Sequence, residues 1–126
     1  DHPMSSRKSV KMEALANERL VFMPAEFGLQ AHVDAILADI GRTYVPAFRC
    51  DRFSTAVAIA AQNLAVAFMT RGAAQERIAA GQVAAVPLDH PIARSFDRYV
   101  VTRAGRRLGP AANYLRREIV RLMSTV

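Results

Sequence analysis

Cysteine is almost absent from this chain. Cys50 is the only one among 126 residues, so no internal disulfide can form, and one free thiol fits a reducing compartment. Long apolar runs are missing as well. None approaches the roughly 18 residues that a membrane helix requires. No basic stretch followed by an apolar segment and small residues marks a secretion signal. A phosphate-cradling glycine loop, a Ser/His/Asp order and paired acids are also lacking, so no catalysis is expected. His2, His32 and His90 have no metal-ligand spacing, and neither a metal nor a cofactor is expected.

What remains is an apolar, alanine-rich chain with an uneven charge. Hydrophobic residues make up 52% of it, which excludes disorder and favours helices. The length fits one ordinary domain, able to bury roughly two thirds of its unfolded surface. Residues 1–93 hold nine basic and nine acidic residues. Residues 94–126 hold eight arginines against Asp97 and Glu118, so this segment carries the whole net charge of +6. Arginine on the outer face of a terminal helix is ordinarily a solvated surface, which tempers the nucleic-acid reading that such charge invites.

The apolar spacing predicts alternating strands and helices. Residues 11–18 suggest a short helical turn through Met12, Leu15 and Ala16. Residues 20–23 form an apolar run ended by Pro24, the mark of a buried strand. Leu29, Val33, Ile36, Leu37 and Ile40 then line one helix face, and Gly41 stands where a left-handed residue ends a helix. A second strand is expected over residues 43–50, with Pro46 at its start or on an edge. Asp51 is a good N-cap, with Ser54 as a rival, for a helix over 53–63 buried on most sides. A third strand over 64–69, a helix over 71–80 ending at Gly81, and a fourth strand over 82–88 follow. Such alternation implies a mainly parallel α/β sheet with helices on both faces. In such sheets ligands sit at the C-terminal strand ends. Beyond Pro91 the pattern gives a strand over 96–102, a turn over 103–107 and a helix opened by Pro110. The apolar face of that helix is Ala111, Tyr114, Leu115, Ile119, Leu122 and Met123.

Three stretches resemble LysR-type transcriptional regulators. His2-Pro3-Met4, Arg7-Lys8-Ser9-Val10, Leu15-Ala16 and Glu18-Arg19-Leu20-Val21 are similar to one segment of that family. Residues 53–69 resemble its Ala-rich helix-strand unit. Ala80-Gly81-Gln82-Val83-Ala84-Ala85-Val86-Pro87-Leu88, Tyr99-Val100-Val101-Thr102-Arg103 and Arg107-Leu108-Gly109-Pro110-Ala111-Ala112 look like its ending. The resemblance implies a periplasmic-binding-protein-like (type II) effector domain, here incomplete. Residues 1–14 would be a crossover from a missing first subdomain. Residues 15–93 would be the second subdomain, and residues 94–126 would return to the first. The chain opens at Asp1 and reads as cut. The resemblance further implies a cytoplasmic protein that pairs as a homodimer or tetramer and touches no membrane. It would bind DNA only through a helix-turn-helix missing here. Acidic partners for the basic tail are expected in the missing half. Two departures stand out: Asn63-Leu64-Ala65 replaces a usual Gly-x-Gly, and Thr70 replaces a usual proline. Both are placed on the cleft-facing side.

Matching family positions give the expected effector site: Pro24, Glu26, Phe27, Gly28 and Leu29 before the first helix, Asp51, Arg52, Phe53 and Ser54 before the second, and Thr70 and Arg71 before the third. Helix starts offer unpaired N–H groups and a positive dipole end, which suits carboxylates. Phe27 and Phe53 would clamp an apolar part of the ligand, with Arg52 or Arg71 pairing its carboxylate. Ordinary structural roles stand beside these. Phe53 can be core, Glu26 can complement a helix dipole, and Asp51 is a cap first. His32 reads as a surface or satisfied histidine, and Cys50 as a small buried hydrophobe at a strand end facing the cleft. The leading expectation is therefore an effector-sensing module, with a small organic acid as effector. An exported solute-binding protein of the same fold is the alternative, and direct nucleic-acid binding by the arginine-rich tail is a third.

Overall fold

The computed structural model describes residues 2–124. It divides into two units, residues 1–96 and 97–126.

The first unit is built on a three-stranded parallel sheet. β1 (Leu20–Phe22) lies between β2 (Phe48–Arg49) and β3 (Val66–Ala67). Helix α1 (Gly28–Asp39) connects β1 to β2, and α2 (Phe53–Ala61) connects β2 to β3. Helix α3 (Arg71–Ala79) follows β3, and a single turn, α4 (Pro91–Arg94), packs against α1. All three residues of β1 are buried, as a central strand covered on both faces requires.

Period-two alternation in the strands creates two cores. Leu20 and Phe22 point to one face, where they meet Val33, Ile36 and Leu37 of α1. Val66 and Phe68 join them there, with the Phe22 and Phe68 rings 6.2 Å apart. Val21 and Met23 point the other way, onto Ala56 of α2. The expected doubly covered sheet is what this chain builds.

The three long helices of this unit end alike. Arg42 N–H donates to the Leu37 carbonyl, Gln82 N–H to Arg77 and Leu64 N–H to Ile59, at 2.9, 2.9 and 3.2 Å. Each is the long bond of a Schellman motif, which needs a left-handed residue just before it. Gly41 and Gly81 supply that residue at φ 65° and 70°, and Asn63 does so at φ 57°. Asparagine is among the few side chains that tolerate this region. Asn63 lies before β3, at the N-terminal edge of the sheet. The expectation that it faces the cleft is therefore corrected: in a parallel sheet, loops entering strands lie opposite the loops leaving them.

Other expectations shrink or fail. The strand expected over 43–50 narrows to two residues, because Pro46 has no N–H to give the ladder. Ala47 and Cys50 N–H still donate to Leu20 and Phe22 carbonyls at 2.9 and 3.2 Å. The third strand narrows to two residues as well. The fourth, over 82–88, forms no strand among the described residues. Its only ladder contact is a parallel bridge from Leu88 to Val10. The helix over 53–63 is buried on one side only, at Ala56 and Val57. Its N-cap is Arg52, in extended conformation and without a side-chain cap bond, so neither Asp51 nor Ser54 caps it. The turn over 11–18 is a 3-10 helix, Met12–Leu15, with Met12 and Leu15 buried and Ala16 exposed just after it. Tyr44 anchors it by donating its hydroxyl to the Met12 carbonyl at 2.9 Å.

Two histidines act as local clamps. His90 is the N-cap of α4: its Nδ1 accepts from Ile92 N–H at 3.1 Å. The ring proton therefore sits on Nε2, which donates to Asp39 Oδ2 at 2.8 Å. His2 repeats the pattern, with Nδ1 on Met4 N–H and Nε2 on Glu18.

The second unit carries α5 (Pro110–Ser124), begun by the expected proline. A turn at Gly105, φ 73°, precedes it, closed by Arg106 N–H on the Arg103 carbonyl. The strand expected over 96–102 is absent: Tyr99 and Val101 are exposed in extended chain. An apolar alternation becomes a strand only when a neighbour supplies its hydrogen bonds.

Candidate functional site

In a parallel sheet every strand leaves by the same edge. Three loops meet at that edge here: residues 23–27 into α1, 50–52 into α2 and 68–70 into α3. The N-caps of these helices are Phe27, Arg52 and Thr70, and none receives a side-chain cap bond. By contrast, α4 begins away from this edge and is capped by His90. Three helix starts with N–H groups free of side-chain caps therefore point the same way, each carrying a partial positive charge.

The aromatic pair forms at this edge. The Phe27 and Phe53 rings stand edge-to-face with centroids 6.3 Å apart, a favourable geometry. This links the starts of α1 and α2. Phe53 is 41% exposed, which corrects the reading of it as core: from α2, Ala56 and Ile59 pack onto Val21 and Met23 of the sheet. An open depression beside the pair is lined by Met23, Pro24, Arg49, Cys50 and Asp51. Of the expected residues, Pro24 and Asp51 line it. Glu26 and Gly28 are exposed beside Phe27, and Leu29 is half-buried at the start of α1. Arg52, Ser54, Thr70 and Arg71 are exposed at the starts of α2 and α3.

Two site features escaped the sequence reading. Arg49, the last residue of β2, is exposed in the depression lining. Gln30 is 4% exposed and fixes the loop after β1. Its Oε1 accepts from Met23 N–H at 2.9 Å, and its Nε2 donates to Asp34 Oδ1 at 2.9 Å. Gln30 shares a helix face with Val33 and Leu37, so a polar residue on a buried stripe was the available signal. His32 is satisfied as expected, with Nδ1 2.9 Å from the Gly28 carbonyl and its ring 4.8 Å from Phe96. Among the described residues, no group of three or more His, Cys, Asp or Glu could hold a metal ion. No helix there is long and apolar enough to cross a membrane.

A parallel sheet with three helix starts over its C-terminal edge is the frame of many ligand-binding folds, and the sequence decides among them. A family model, the LysR substrate binding domain, matches residues 1–124. The chain belongs to this family. No curated protein matches it. The LysR domain is an effector-binding regulatory module from a non-enzymatic family, with a periplasmic-binding-protein-like fold that is incomplete here. Within this LysR domain, the edge at Pro24, Asp51 and Thr70 is where the topology concentrates N–H donors, arginines and the Phe27–Phe53 pair.

Proposed function

We propose that this LysR domain senses a small organic acid at the C-terminal edge of its sheet. The observation that carries the reading is the set of helix starts without side-chain caps, beside Arg49, Arg52 and Arg71 and the Phe27–Phe53 pair. A carboxylate would take the free N–H groups and an arginine, and an apolar body would lie against the rings. Glu26 turns away a second negative charge. The site residues are those expected, Pro24, Glu26, Phe27, Gly28, Leu29, Asp51, Arg52, Phe53, Ser54, Thr70 and Arg71, joined by Arg49.

Residues 15–93 are then one subdomain of a two-lobed sensor, residues 1–14 a crossover, and residues 94–126 a return to the other lobe. The effector shifts the lobes through its different affinity for two arrangements. The whole regulator works in the cytoplasm as a homodimer or tetramer and holds DNA through a separate helix-turn-helix.

The test is thermal unfolding of the complete two-lobed domain against a panel of mono- and dicarboxylic acids. A ligand at a hundred times its dissociation constant adds about 2.7 kcal/mol, a rise of roughly 2–4 °C for a domain of that size. Arg52→Ala should remove the rise while leaving the unliganded midpoint unchanged. A panel in which no acid raises the midpoint refutes the reading.

A further inference from the structure

Both signs of charge line the depression at the C-terminal edge of the sheet. Arg49 ends β2, and Asp51 stands two residues on. Cys50 between them packs in one cluster with Met23. Among the described residues, the ion pairs are His2–Glu18, His90–Asp39, Arg94–Asp89 and Arg121–Glu118. Arg49 and Asp51 thus line one depression without pairing with each other or with any other charge there. Asp51 is also spared the capping of α2, whose N-cap is Arg52. Glu26 is exposed at the same edge and makes no ion pair among the described residues. The rest of the lining, Met23, Pro24 and Cys50, is apolar.

A plain carboxylic acid held by Arg49 would lie beside Asp51 and close to Glu26. Like charges set side by side oppose binding, and selectivity is built from such repulsion as much as from attraction. A ligand with a cation next to its carboxylate turns the same two acids into partners. An α-amino acid carries both charges on one carbon. Its side chain then meets the apolar lining and the Phe27–Phe53 pair.

We propose that the effector is an α-amino acid with an apolar side chain. Its carboxylate takes Arg49 and the N–H groups at the start of α2, and its ammonium donates to Asp51. Glu26 adds negative potential on the ammonium side. This rests on the reading of the edge as a carboxylate site and narrows its ligand from organic acids to zwitterions.

The test is calorimetric titration of the complete two-lobed domain with leucine, methionine and phenylalanine. Each is compared with its deaminated acid and its decarboxylated amine. At least one amino acid should bind about tenfold more tightly than both of its counterparts, the scale of one hydrogen bond between charged groups. Asp51→Asn should erase the preference over the deaminated acid, and Glu26→Gln should reduce it by less. Arg49→Ala should weaken amino acid and deaminated acid alike. Asp51 is exposed and caps nothing, so its variant should melt with the parent. A deaminated acid that binds as tightly as its amino acid overturns the proposal and leaves the organic-acid reading standing. So does a preference that survives Asp51→Asn. A panel in which neither the amino acids nor the deaminated acids bind overturns both.

Discussion

Helices α1 and α5 carry similar apolar stripes and meet opposite fates. Val33, Ile36 and Leu37 of α1 are 3%, 1% and 5% exposed. Tyr114, Leu115 and Ile119 of α5 are 61%, 59% and 38% exposed. Both stripes follow helical spacing, and α5 is the longer helix. The difference lies in what each helix is given to cover. α1 is tied to a strand at each end and meets Leu20 and Phe22 between them. Among the described residues the second unit forms no strand, so α5 has no sheet there. Amphipathic spacing thus reports that a face will be buried, not where its partner is encoded. The charge divides along the same line. The first unit holds ten basic and nine acidic residues, and its Arg94 pairs with Asp89. In the second, Arg121 pairs with Glu118 at 2.7 Å. Two arginines of the basic tail therefore find acids within this chain.

The comparison can be broken most forcefully by truncating both stripes. Ile36→Ala should destabilise the first unit by about 2–5 kcal/mol, as filled core positions do. Ile119→Ala should stay within about 0.5 kcal/mol, as surface changes do. Urea unfolding of both variants measures the contrast, and equal losses would show that α5 is buried in solution. Gln30→Leu comes next. It removes the acceptor for Met23 N–H from a buried site and should cost about 1–3 kcal/mol, read by the same unfolding curves. The smallest effect is expected at Asn63. Alanine there should cost about 1 kcal/mol, since a β-carbon opposes positive φ and alanine lacks asparagine's local hydrogen bonds. Asn63→Gly should stay near the parent midpoint, and a thermal melt separates the two.

Much of the first unit was legible in residues alone. The run before Pro24, the α1 stripe and the stops at Gly41 and Gly81 all rest on local rules: burial of continuous apolar runs, helical spacing and the need for positive φ. Strand extent was less legible. Residues 43–50, 82–88 and 96–102 all alternate suitably, yet only Phe48–Arg49 is a strand, because strands are completed by neighbours. At the site, the loops carrying Pro24, Asp51 and Thr70 could be placed on one edge from topology. The contact between Phe27 and Phe53 could not, nor could the place of Arg49 beside Met23 and Pro24, because these residues lie far apart in the chain.

By itself, the sequence determined the α/β alternation, the helix boundaries and the family, because each is written in short-range spacing and residue type. Only the tertiary structure decided which apolar faces find partners in this chain and which residues share a row of the sheet. Cys50 and Met23 lie 27 positions apart, a distance that no local pattern spans and that strand pairing closes to a single contact.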